Sequence, residues 1–87
     1  MKNEILKPLP GIAWQTFGDG AVVLQAKEGL VHELNDVGAS IWLALSNGED
    51  SDQIAAALSQ EYEVSLEEAR CDVAEFFASL RGMKLVE

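Results

Sequence analysis

The sequence predicts an α+β fold, a three-stranded antiparallel β-meander followed by three α-helices. The first third of the chain alternates apolar and polar residues between glycine-containing turns, which is typical of strands. From residue 36 onward the apolar residues recur three and four positions apart, which is typical of helices. The period changes at Asn35, where a strand runs directly into a helix. The sheet and the helices must therefore share one hydrophobic core.

The meander is predicted from three short segments rich in β-formers, separated by turns at residues 18–20 and 27–29. The predicted strands cover residues 13–17, 21–26 and 30–34. Residues 1–12 contain two prolines and a glycine without any periodicity, so we expect a flexible lead-in to a single domain spanning residues 13–87. In a meander of this order the first and third strands lie at the edges of the sheet.

Three helices are predicted from capping residues and from apolar stripes at helical spacing. They cover residues 36–45, 51–62 and 66–81. Asn35 can accept a hydrogen bond from the first turn of the first helix. Candidate capping boxes begin at Asp50 and Ser65, each followed by a glutamine or glutamate three positions later. Residues 83–86 are apolar enough to fold back onto the core after the last helix.

The composition indicates one small domain in a reducing compartment. With 87 residues, of which 48% are hydrophobic, the chain is expected to fold around a single core. Cys71 is the single cysteine, which excludes an internal disulfide. The sequence contains no apolar stretch long enough to span a bilayer and no signal-peptide pattern at its start. The expected location is the cytoplasm, without a membrane partner.

The charge balance argues against nucleic-acid binding. Six basic and fifteen acidic residues give a net charge of -9, and between residues 49 and 75 nine acids accompany a single base, Arg70. A protein that binds nucleic acid needs a basic face, and this one would repel phosphates. Most of the acidic side chains are expected simply to be solvated, although part of this surface can steer a basic or neutral partner.

The residues that most enzymes use are scarce in this sequence. There is one histidine, one cysteine and no glycine-rich phosphate motif. His32 shares a strand face with Leu30 and Leu34, so a structural role is favoured over that of a catalytic base. Cys71 lies inside a helix and is expected to be an unreactive thiol. The acidic residues of the third helix lack the spacing of a calcium loop. We therefore expect no catalysis, no metal site and no cofactor.

An open strand edge beside a helix predicts a groove that can accept a peptide. The third strand, residues 30–34, is expected to present unpaired backbone groups, and the third helix is expected to form the opposite wall. The core stripe of that helix is predicted to contain Val73, Phe76 and Leu80. The adjoining stripe, predicted to border the groove, consists of Arg70, Ala74, Phe77 and Arg81. The alternative for Phe77 is a place in the core.

The run Leu34-Asn35-Asp36-Val37-Gly38-Ala39-Ser40-Ile41-Trp42 resembles the leucine-asparagine-x-x-glycine/alanine…isoleucine-tryptophan signature of the PqqD-like family. Residues 54–62 and 72–85 also resemble helices of that family, so that the resemblance covers roughly residues 20 to 87. It implies a RiPP recognition element, a winged helix-turn-helix-like domain that has lost DNA binding. Such domains hold the leader of a ribosomally synthesised precursor peptide as a strand beside the third β-strand. They then present it to a modifying enzyme such as a radical SAM enzyme, a protease or a cyclase.

The resemblance implies two sets of peptide-binding residues. Those of the strand are Leu30, Val31, His32, Glu33 and Leu34. Those of the helix are Arg70, Val73, Ala74, Phe77 and Arg81. Arg70 and Arg81 would meet an acidic leader residue or else remain solvated. Asp72, which matches a family aspartate, would either bind the peptide or hold a structural hydrogen bond, and the structural role is favoured. Trp42, which matches the family's tryptophan, is interpreted as a core anchor.

Two other functions are compatible with these elements. The first is a self-associating structural domain, in which the open edge pairs with a second copy; a monomer or weak dimer is expected in either case. The second is a winged-helix transcription regulator, which the net charge and the lack of a basic recognition helix disfavour.

Overall fold

A computed structural model describes residues 3–87 and confirms the α+β fold. The elements in chain order are β1 (Ile12–Phe17), β2 (Gly20–Gln25), β3 (Leu30–Leu34), α1 (Asp36–Ser46), α2 (Ser51–Glu61) and α3 (Leu66–Gly82). The strands form one antiparallel sheet in the order β1-β2-β3, so β3 is an edge strand as predicted. Each boundary lies within one residue of the position expected from the sequence.

The helices begin at the predicted capping residues. Asn35 Oδ1 accepts a hydrogen bond from the Gly38 backbone N–H at 2.8 Å. At the start of α2, Asp50 and Gln53 form a complete capping box, in which each side chain accepts from the other's backbone N–H. At the start of α3 only half of the predicted box is present, with the Ser65 hydroxyl accepting from the Glu68 backbone. Each cap satisfies a backbone donor that has no partner within its helix.

The core lies between one face of the sheet and the three helices. Ala21 and Val23 of β2 point into it and are fully buried, whereas Leu24 points to the opposite face of the sheet and is exposed. The largest fully buried side chain is Trp42 of α1, whose indole packs edge-to-face against Trp14 with ring centroids 5.4 Å apart. The helices therefore cover one side of the sheet and leave the other open to solvent.

The structure differs from the expected flexible lead-in, whose first two residues lie outside the described part of the chain. Leu6 is only 4% exposed and belongs to the core. The Ser51 backbone N–H donates to the Glu4 carbonyl oxygen at 2.8 Å, and the Leu9 N–H donates to Leu85 at 3.0 Å. Glu4 also forms an ion pair with Arg81 of α3. The N-terminal segment (residues 3–11) therefore ties the start of α2 to the end of the chain.

Candidate functional site

The pairing of the sheet determines which backbone groups of β3 face the open edge. A two-residue turn joins β1 to β2, and its Gly18 has a φ of +54°. In such a hairpin the closing pair, Phe17 and Gly20, exchanges both backbone hydrogen bonds, and bonded pairs then alternate along the strands. Val22 and Leu24 accordingly direct their backbone groups to β1.

The remaining residues of β2 direct their backbone N–H and carbonyl groups to β3. The residues of β3 that lie opposite Ala21, Val23 and Gln25 are Leu34, His32 and Leu30. Because these three use their backbone groups within the sheet, Val31 and Glu33 must direct theirs outward. Val31 is 61% exposed, and among residues 3–87 no other strand pairs with β3 on this side. Two N–H groups and two carbonyl groups are thus available to an added strand.

A cleft of about 500 Å³ opens beside this edge, between the end of β3, the first turns of α1 and the middle of α3. We refer to it as the upper cleft. Its α3 wall consists of Asp72, Glu75, Phe76 and Ser79, which follow one another at the three- and four-residue spacing of a single helix face. The half-buried Phe76 provides the apolar part of that wall.

Gly38 in the first turn of α1 allows Phe76 to lie close to the helix backbone. A β-carbon placed on Gly38 would be 3.3 Å from both Cε1 of Phe76 and Oδ1 of Asn35, and 3.5 Å from Cβ of Leu34. The first two distances are tighter than ordinary contacts, so the Phe76 ring and the Asn35 cap would each have to shift by a few tenths of an ångström. Glycine at this position therefore lets Phe76 pack closely against the first turn of α1.

The structure places the predicted helix stripe on the other side of α3. Phe77 is 0% exposed and Val73 is 1% exposed, so both belong to the core. Arg70 forms an ion pair with Asp52 of α2 at 3.8 Å. Ala74 lies with Arg70 in a separate cavity of about 200 Å³ that faces the start of α2 and Glu4.

The prediction that Arg70, Ala74, Phe77 and Arg81 border the groove beside β3 is therefore wrong. Phe76, predicted in the core stripe, does pack against the core, but it is only half-buried and also lines the upper cleft. Glu75 and Ser79 were not predicted in the groove wall, and Asp72 was interpreted mainly as structural. No local signal separates the two faces of α3, because the stripe that contains Arg70 and Arg81 carries polar residues just as the stripe that contains Asp72, Glu75 and Ser79 does.

The side chains of Leu30, His32 and Leu34 point to the helix side of the sheet, since they lie opposite core-facing residues of β2. The buried Gln25 donates through Nε2 to the Met83 carbonyl oxygen at 3.1 Å, which leaves its Oε1 facing His32 Nε2 at 2.7 Å. With the amide held this way, His32 donates the hydrogen bond. This contact agrees with the structural role expected for His32.

Residues 3–87 contain neither a candidate membrane-spanning helix nor a candidate metal-binding group of side chains. None of the helices described has the length and hydropathy needed to cross a bilayer. The same residues contain no group of three or more histidine, cysteine or acidic side chains arranged to hold a metal ion. Cys71 is exposed and forms no disulfide.

Comparison with known proteins gives one family and two similar structures. The family model described as coenzyme PQQ synthesis protein D (PqqD) matches residues 20–86. A lasso peptide synthetase B1 complexed with the leader peptide is 28% identical, with 97% of this chain and 99% of that chain covered and a TM-score of 0.89. TbiB1 in complex with the TbiA(beta) leader peptide is 27% identical, with 93% and 94% covered and a TM-score of 0.88. No curated protein matches the chain.

Proposed function

The chain belongs to the PqqD family, and from this premise we propose that it binds the leader of a ribosomally synthesised precursor peptide as a strand added to β3. It then presents the peptide to a modifying enzyme, such as a radical SAM enzyme, a protease or a cyclase, and has no catalytic activity of its own. The observation that carries the proposal is the unpaired edge of β3 directly beside the upper cleft. The two similar structures, both solved with a leader peptide, support it.

The groove provides two kinds of contact to such a peptide. The outward backbone groups of Val31 and Glu33 would pair with its main chain, which contributes affinity with little dependence on sequence. Every second peptide side chain would then point toward the helices and enter the upper cleft, against Phe76 and Leu34. Affinity therefore arises mainly from the edge of β3, and selectivity arises mainly from the α3 wall.

The other predicted site residues have supporting roles in this proposal. Val73 and Phe77 are buried in the core and attach α3 to it. Arg70, Ala74 and Arg81 lie on the side of α3 that faces α2 and the N-terminal segment, away from the added strand. The unpaired Cys71 suits a reducing compartment such as the cytoplasm.

Backbone amide exchange tests the proposal, with the leader of the precursor encoded beside this gene as the probe. We expect the amide hydrogens of Val31 and Glu33 to become protected in saturating leader peptide. Those of Leu30, His32 and Leu34 are already bonded to β2, so their exchange should change less. Unchanged exchange at Val31 and Glu33 would contradict binding at this edge. Protection that instead rises with protein concentration, together with a larger solution mass, would indicate pairing between two copies.

Substitution of Gly38 is expected to change leader affinity with little change in the stability of the fold. In Gly38→Ala we expect the free energy of unfolding to change by less than about 1 kcal/mol, because the gain in helix propensity offsets the small shifts of Phe76 and of the Asn35 cap. Leader affinity should fall by up to about threefold, since the β-carbon and the shifted ring narrow the cleft. Equal leader affinity in the variant and the unsubstituted protein, measured by calorimetry, would exclude a role for Gly38.

A further inference from the structure

A second cavity lies at the other end of β3. This lower cleft has a volume of about 620 Å³ and extends beneath the end of the sheet, where it is lined by Leu30, the turn that precedes it, residues 82–84 at the end of α3, Gln25 and residues 9–12. The upper cleft is lined by Leu34 and by residues of α3 from Asp72 onward. The two clefts therefore flank opposite ends of the same edge strand, and a peptide added along β3 would meet both.

The two ends carry opposite charge. The upper cleft carries the acidic side chains of Asp72 and Glu75 without any basic residue, whereas the Glu33 side chain points with Val31 to the outer face of the sheet. The lower cleft is lined by the basic residues Lys27 and Lys84, with Glu28 as its one acidic residue. A peptide that occupies both clefts therefore experiences an acidic end and a basic end.

These charges form no ion pairs with other described residues. In the part of the chain that the structure describes, the two ion pairs are Arg70 with Asp52 and Arg81 with Glu4, and both lie on the far side of α3. The charged groups of the two clefts consequently face solvent, where a ligand of opposite charge can approach them.

The two ends act separately on a bound peptide. Leu30 and Leu34 are four residues apart on β3, which corresponds to roughly 13 Å along an extended strand. This separation exceeds the Debye length of about 8 Å at physiological ionic strength, so neither end cancels the field of the other. The position of each charge within the peptide therefore affects binding, in addition to the peptide's net charge.

The direction of the added strand relative to β3 determines which part of the peptide lies beside each cleft. A strand that continues the antiparallel sheet must run opposite to β3, so its N-terminal part lies beside Leu34 and its C-terminal part beside Leu30. We propose that the groove selects peptides by charge order, with basic residues in the N-terminal part of the bound segment and acidic residues in its C-terminal part. This inference rests on the proposed function and specifies the chemistry of its ligand.

The effect is expected to be moderate and dependent on salt. Each exposed pair of opposite charges changes affinity by roughly twofold to fivefold, and like charges oppose binding to a similar extent. Between a peptide with the favoured charge order and the same peptide with the order reversed, we expect about a tenfold difference in Kd at low salt. Screening should reduce this difference to roughly twofold at high ionic strength.

Selection from a library tests the order directly. The probe is a library of random twelve-residue peptides, displayed with neutral flanking segments on both sides and selected for binding to the full chain. We expect lysine and arginine to be enriched in the N-terminal third of the selected peptides, and aspartate and glutamate in the C-terminal third. Selected peptides with no charge order, or with the reverse order, would overturn the inference while leaving strand addition intact. A library that yields no binder would instead contradict the proposed function.

Two double variants assign the selection to particular residues. Lys27→Gln/Lys84→Gln removes the basic end, and we expect it to abolish the enrichment of acidic residues in the C-terminal third. Ala56→Glu/Gln60→Glu changes the net charge by the same amount at exposed positions of α2 and should leave the order unchanged. Circular dichroism checks that both remain folded. If the two variants altered the selected order equally, the effect would come from net charge, and the inference would be wrong.

Discussion

Val31→Pro is expected to weaken leader binding tenfold or more, whereas Val31→Ala should change it by less than about threefold. Val31 directs its backbone N–H to the open edge, and proline removes that donor and places its ring where the added strand would lie. A peptide carbonyl that loses its hydrogen bond in the bound state costs about 1–3 kcal/mol. Alanine keeps the donor and removes only side-chain contacts on the outer face of the sheet. The two Kd values, measured by calorimetry, check this difference.

The stability of the same variants is part of this prediction. Because the Val31 N–H does not bond to β2, Val31→Pro should leave the sheet intact, as proline is tolerated at the outward positions of edge strands. His32→Pro is the matched control, since the His32 N–H bonds to β2, and its loss should lower the thermal midpoint markedly. If alanine and proline at position 31 weakened leader binding equally, main-chain pairing at this edge would not be the mode of recognition.

Phe77→Ala is expected to lower the free energy of unfolding by about 3–5 kcal/mol, as is usual when a buried aromatic side chain is removed from a core. Phe77 is fully buried, and the loss would be a large fraction of the roughly 5–15 kcal/mol that stabilises a typical domain. Urea denaturation of the purified variant measures this change. Part of the population should be unfolded at physiological temperature.

The neighbouring residue provides a matched comparison. Phe76 is half-buried in the wall of the upper cleft, so Phe76→Ala should cost less than about 2 kcal/mol of stability and should weaken leader binding by roughly tenfold. Phe77→Ala, studied under conditions in which it is folded, should bind the leader nearly normally. The reverse result, with Phe76 essential for stability and Phe77 for binding, would contradict the orientation of α3 described above.

The strands and helices could be predicted from the sequence because their boundaries depend on local interactions. Asn35, Asp50 and Ser65 cap helices through residues three positions further along the chain. The glycine-containing turns likewise act between neighbouring residues. An open edge at β3 follows directly from the order of a three-stranded meander. Which residues of β3 direct their backbone groups outward could not be predicted from the sequence. The predicted turn between β1 and β2 had three residues and left the alternation of bonded pairs undetermined, whereas the structure has a turn of two residues.

The rotation of α3 was decided by the tertiary structure alone. Phe76 and Phe77 are adjacent, so they point about 100° apart on the helix, and the apolar spacing allows either of them to face the core. The structure fixes α3 among partners distant in sequence, including Glu4, which contacts Ser51 and Arg81 across 47 and 77 residues of sequence. Contacts over such separations leave no periodic signal in the chain. The sequence by itself therefore determined the elements, their order and the open strand, and tertiary packing decided which face of α3 completes the groove.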